Sequence, residues 1–239
     1  MLKEKIIIVA LIILMIILVI IILPSKKEEN KAQSSENTIN ADKVNNMDNI
    51  ENESKEIFEA YYEKAEEKLK TLSLEEKIGQ VFLVRYPEKN KIEELQKYKF
   101  GGYLFFEKDF KNKSQEEIKG EIANLQANSS IPLLIAVDEE GGKIVRVSSN
   151  NKLIPEKFKS PSELYKEGGL DRIKQDTINK SNFLYDLGIN LNLAPVVDVA
   201  TDKTNYIYDR TLGESAEITS EFAKTVISAS KLRQSIILS

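Results

Sequence analysis

The chain has 239 residues, 41% hydrophobic and 30% charged, with a formal net charge of −4, the composition of one globular domain with appendages. It contains no cysteine and no histidine, which excludes a disulfide framework, thiolate or imidazole metal sites, lipid-modified cysteine and any histidine acid–base within this chain. The mild acidic balance, with no basic stripe interleaved with aromatics, gives no footprint for nucleic acid.

Ile6 to Leu23 is an unbroken run of 18 apolar residues. At about 1.5 Å per helical residue it reaches roughly 27 Å, close to the hydrocarbon thickness of a bilayer. Lys3 and Lys5 precede it and Lys26 and Lys27 follow, so charge does not fix its orientation. Two readings compete, an uncleaved signal anchor and a cleaved signal peptide. The length of the run and the poor cleavage site at Leu23–Pro24–Ser25–Lys26 favour the anchor, with the rest of the chain outside the membrane. Residues 1–24 are therefore expected to form a membrane anchor that makes the cell membrane a partner through residues 6–23. Residues 25–54 are rich in Asn, Glu, Lys and Ser and read as a disordered linker, with a transient helix at Met47–Ile57 as the alternative.

The folded region is expected over residues 55–239. Ile57, Tyr61, Ala65 and Leu69 recur at helical spacing and predict a helix from Lys55 to Lys70. Ser73 and Glu76 form a capping box that opens a second helix, whose buried face would be Leu74, Ile78, Val81 and Phe82. Phe100–Phe106 reads as a strand entered through Gly101 and Gly102. Ser114 and Glu117 make a second capping box, for a helix ending near Ala127. Leu133–Val137 reads as a buried strand that breaks into Asp138, Glu139, Glu140, Gly141 and Gly142. Acidic side chains at the C-terminal end of such a strand suit a binding site; an acidic surface turn is the plain alternative. Ser160–Pro161 starts another helix, and a longer one through Ile173, Ile178, Phe183, Leu184 and Leu187 closes at Gly188. Ile189–Pro195 is a third strand, Thr219–Leu232 a last helix, and Ser235–Ser239 the start of a fourth strand. The alternation predicts an α/β fold with a parallel sheet, either doubly wound or a (β/α) barrel. No GxGxxG or GxxxxGK[ST] motif is present, so no nucleotide cofactor is indicated.

Five segments in order carry a resemblance: Leu74–Gln80, Gly101–Phe106, Asp138–Gly142 with Arg146, Asn192–Val199, and Asp209–Gly213. Together, over roughly Leu72 to Leu232, they resemble the N-terminal catalytic barrel of glycoside hydrolase family 3, in its bacterial β-N-acetylhexosaminidase branch. Lys143 departs mildly from the arginine of many members. The resemblance implies a partial (β/α)8 TIM-type barrel of three to four strand–helix units. It also implies a carbohydrate partner containing N-acetylglucosamine, such as a peptidoglycan fragment, and no metal or cofactor. It marks Asp138, Arg146 and Arg210 as substrate-binding residues. A carboxylate accepts two hydroxyl hydrogen bonds and guanidinium forks donate several; for Arg146, a surface ion pair is the plain alternative. Asp198 reads as a structural turn or cap, and Glu139 and Glu140 as loop acids rather than a catalytic pair. The family's Lys-His pair, its His-Asp acid/base loop and its aspartate nucleophile follow the next strands and have no match up to Ser239. The expectation is an N-terminal portion without catalytic residues. A non-catalytic membrane-anchored glycan- or partner-binding module and a non-functional fragment are the alternatives.

Overall fold

The structure is a computed structural model and describes residues 61–231 and 236–237. Contacts divide the chain into residues 1–61 and 62–239, and the description below concerns the second unit. The expected anchor at residues 6–23 and the linker at 25–54 lie outside the described residues. Among the described residues no helix is long and apolar enough to cross a membrane.

Residues 61–71 are helical. The elements then run α1 (Leu74–Gln80), β1 (Leu83–Arg85), α2 (Lys91–Tyr98), β2 (Gly102–Leu104), α3 (Glu107–Phe110), α4 (Gln115–Ala127), β3 (Leu134–Val137), α5 (Pro161–Asp186), β4 (Leu191–Asn192), a 3-10 turn (Tyr208–Arg210), α6 (Ala216–Lys231) and β5 (Ile236–Ile237). The five strands form one parallel sheet in chain order. Val84 lies beside Tyr103, Tyr103 beside Ile135, Ala136 beside Leu191, and Leu191 beside Ile236. Every crossover from strand to strand carries a helix, as parallel pairing requires. The order has no reversal, unlike a doubly wound sheet. The fold is α/β with a parallel sheet, which fits part of a TIM-type domain.

Local chemistry sets the helix starts. Ser73, Ser114 and Ser160 each accept from the backbone N–H three residues on, and Glu76, Glu117 and Glu163 return a bond to the cap. These bonds satisfy donors that a helix leaves open at its first turn. The predicted pair of helices after Ser160 is present within α5, the two meeting at a non-helical break at Gly168–Gly169, where Gly169 has φ 61° and ψ −149°.

Two apolar clusters hold the sheet. Tyr103, Phe105, Ile135 and Val137 pack with Ile118, Ile122 and Leu125 of α4, with Leu184 of α5 and with Leu187, which caps it. Each such fully buried side chain stabilises the fold by about 1.5–3 kcal/mol. Leu164, Ile173, Leu212, Phe222 and Val226 join α5 to α6. Strands this short have few ladder bonds, and amide side chains extend them. Asn190 accepts from Ile135 N–H at 2.8 Å and donates to Leu133 O at 3.0 Å. Gln126 makes the same exchange with Leu133.

Two expectations need correction. The sheet has five strands, not four, because Leu83–Arg85 is a strand and not a continuation of the helical pattern. The predicted buried face of α1 is not buried either: Leu74, Ile78, Val81 and Phe82 are 51% to 78% exposed. What α1 buries is Gly79, where an added Cβ would lie 2.2 Å from Tyr98 O and 2.5 Å from Lys99 O. Gly101 N–H donates to Gly79 O at 3.1 Å. The helix therefore docks by backbone contact, and its apolar side chains have no described element over them.

Candidate functional site

The C-terminal end of β3 places three consecutive carboxylates, Asp138, Glu139 and Glu140, and each has a different fate. Glu139 is fully buried. Its carboxylate accepts from Arg146 N–H and Val147 N–H at 2.7 Å each and from Ser148 Oγ at 2.5 Å. Its backbone is gripped by Asn192, which accepts from Glu139 N–H at 2.9 Å and donates to Glu139 O at 3.2 Å. Glu139 thus folds the loop back on itself and ties it to β4. Glycine makes the intervening turn possible. Gly141 has φ 102° and Gly142 φ 65°, and an added Cβ at Gly141 would meet Lys159 O at 2.1 Å.

Glu140 is also buried and receives Arg210 as a two-pronged pair, Nε–H to Oε2 at 3.0 Å and NH2 to Oε1 at 2.6 Å. That pairing, aided by the nearby charge of Asp138, raises the Arg210 pKa above its ordinary value. Behind the loop, Lys180 of α5 donates to Glu140 O at 3.1 Å and faces Asp176 at 3.4 Å. These groups line a cavity of about 40 Å³. That is room for a few waters, far below the roughly 300 Å³ at which ligand pockets begin.

Asp138 differs from both neighbours. Its side chain is 23% exposed, and among the described residues its one side-chain partner is Arg146, whose NH2 donates to it at 3.3 Å. Among the described residues Arg146 makes no other side-chain hydrogen bond, and its Nε is buried without a partner. Its guanidinium lies over the Phe106 ring at 5.2 Å, and Arg85 covers the same ring at 4.5 Å. Arg85, at the end of β1, is held by Asp109 at 2.6 and 3.1 Å.

The structure therefore brings Asp138, Arg146 and Arg210 to one end of the sheet, with Arg210 committed to Glu140. Lys143 and Asp209 form an exposed ion pair. Asp198 lies past β4 with its side chain exposed, and among the described residues it makes no hydrogen bond that would cap an element. Glu139 and Glu140 are loop acids as expected, but buried ones with fixed partners. Sequence reasoning missed Arg85, Phe106, Asp109 and Asn192 as site residues; Asn190 and Asn192, spaced two apart at β4, were the available signal. Among the described residues no group of three or more acidic side chains is arranged to hold a metal ion. The Glu139 and Glu140 carboxylates are already occupied by protein donors.

Comparison with known proteins agrees with this frame. Residues 73–238 match the family model described as Glycosyl hydrolase family 3 N terminal domain. Over 148 residues the chain is 26% identical to Beta-hexosaminidase A of Pseudoalteromonas piscicida, covering 56% of this chain and 23% of that protein. Over 107 residues it is 33% identical to Beta-hexosaminidase LpqI of Mycobacterium tuberculosis, covering 44% and 26%. The chain thus spans about a quarter of the length of these curated relatives. Among solved structures, a family 3 glycosyl hydrolase from Mycobacterium smegmatis superposes with TM-score 0.59 at 22% identity, covering 70% of this chain and 49% of that one. That likeness shows the fold. With the family model matched over more than half of its length, the chain belongs to the glycosyl hydrolase family 3 N terminal domain family, alongside bacterial β-hexosaminidases.

Proposed function

We propose that this chain is the sugar-holding part of a β-N-acetylhexosaminidase-like glycosidase. Its five strands are the opening portion of a (β/α)8 barrel, and residues 55–239 form that domain. Its substrate class is a glycan ending in N-acetylglucosamine, such as a peptidoglycan fragment. The observation that carries the reading is Asp138: a strand-end carboxylate with one long ion pair, beside Arg146 and Arg210. Its free acceptor capacity suits sugar hydroxyls, which are bound best by charge-assisted hydrogen bonds.

The same geometry argues against hydrolysis by these residues alone. Retaining hydrolysis needs a nucleophile and an acid–base group about 5–5.5 Å apart on two sides of the sugar. Glu139 is saturated by three donors and Glu140 is paired with Arg210. Neither is available as a nucleophile. The test is a chromogenic N-acetyl-β-glucosaminide assay on the purified chain and on Asp138→Ala. The expected result is no turnover above buffer in either. Turnover that vanishes in the variant would overturn this part of the proposal.

A second reading, a glycan-binding module that does no chemistry, is favoured by the same open edge of Asp138, since binding needs no nucleophile. The 18-residue apolar run at Ile6–Leu23 supports an anchored, extracytoplasmic placement. Recovery of a soluble form beginning near Lys26 would contradict it.

A further inference from the structure

We propose that Phe106 is a positioning residue for the site, an aromatic plate that aims the Arg146 guanidinium at the sugar; the sugar itself rests on the functional reading above. Hydrogen bonding does not aim this arginine. Among the described residues its side chain makes one hydrogen bond, 3.3 Å to Asp138, and its buried Nε has no partner. What remains is the Phe106 ring, with the guanidinium 5.2 Å from its centre. A planar cation over an aromatic face is attracted by the ring's quadrupole and keeps its edge free to donate.

The plate is itself held. Arg85 covers the ring at 4.5 Å, so one ring serves two cations. Their repulsion is offset because Asp109, buried at the end of α3, takes Arg85 at 2.6 and 3.1 Å. The same Asp109 carboxylate accepts from Phe106 N–H at 2.7 Å. One acid therefore fixes the ring's backbone and neutralises the outer cation. The set joins the ends of β1, β2 and β3. With Arg146 fixed by stacking, the exposed part of its guanidinium and the open edge of Asp138 are left for a ligand.

The experiment uses the full chain in mild detergent. The Arg146 Nε–H resonance is followed by proton–nitrogen NMR and assigned by its loss in Arg146→Lys. Ring-current shift and slow solvent exchange are expected in the wild type. Phe106→Leu should abolish both and weaken N-acetylglucosamine binding about fivefold, while Phe106→Tyr should restore both. Arg85→Gln, which leaves the ring in place, should give an intermediate effect and serves if Phe106→Leu does not fold. An Arg146 signal unchanged in both Phe106→Leu and Arg85→Gln would overturn the proposal. A signal that responds as described in a wild type that binds no sugar would leave the plate standing and sink the sugar reading.

Discussion

Two acid–arginine pairs stand at the C-terminal end of the sheet, one in the loop after β3 and one joining that loop to the segment after β4. They have been put to different uses. Glu140 and Arg210 meet through two bonds at 2.6 and 3.0 Å, and the acid is buried. Asp138 and Arg146 meet once, at 3.3 Å, and both are partly open. The first pair spends its hydrogen-bonding capacity on the protein; the second keeps most of it. On the proposed reading, chemical identity does not make a site residue here; unsatisfied capacity at an accessible position does.

The contrast can be broken by removing acids one at a time. The largest effect belongs to Glu139. Glu139→Ala would strand two backbone N–H groups and the Ser148 hydroxyl in a dry loop. A loss of about 3–5 kcal/mol is expected, read by urea unfolding. Glu140→Ala should follow at about 2–3 kcal/mol, because Arg210 is a third exposed and can rehydrate. Equal costs for Glu140→Ala and Asp138→Ala would erase the distinction between the pairs.

A fourth acid sharpens the comparison through pH. Glu121 on α4 is half-buried, which raises its pKa, but hydrogen bonds from Lys113 and Lys91, both at 2.5 Å, outweigh burial and the net shift is downward. A lowered folded pKa means that its stabilisation is complete above the ordinary glutamate value of about 4.3 and is lost as pH falls through the lowered one. Glu121→Gln should cost about 1 kcal/mol at pH 7 and flatten the stability loss below about pH 4. An unchanged acid limb would contradict the assignment. Asp138→Ala should have the smallest effect on stability, within about 1 kcal/mol, as for other partly exposed pairs.

What the sequence made legible was whatever is decided locally. The Ser73, Ser114 and Ser160 caps each depend on a residue three places on, and all three helices start where the pattern put them. The strand before Asp138 was legible because its apolar run ends in acids and glycines. The rest depends on partners far along the chain. Glu139 and Glu140 look like a solvated acidic turn until Val147, Asn192 and Arg210 are in place, 8, 53 and 70 residues away. The α1 face was misread because periodicity shows that a helix has an apolar side, not that anything covers it. β1 was missed because three residues directly after a helix leave no punctuation to mark a change of period.

The central claim is that Asp138 is held open for a ligand while its two neighbours hold the loop. Titration of N-acetylglucosamine into the wild type and Asp138→Ala by ligand-observed NMR, with a thermal melt of each, tests it most directly. The account predicts weak binding near millimolar sugar in the wild type, none in the variant, and nearly coincident melts. Undiminished binding in Asp138→Ala, or a melt lowered as far as that of Glu139→Ala, would contradict it.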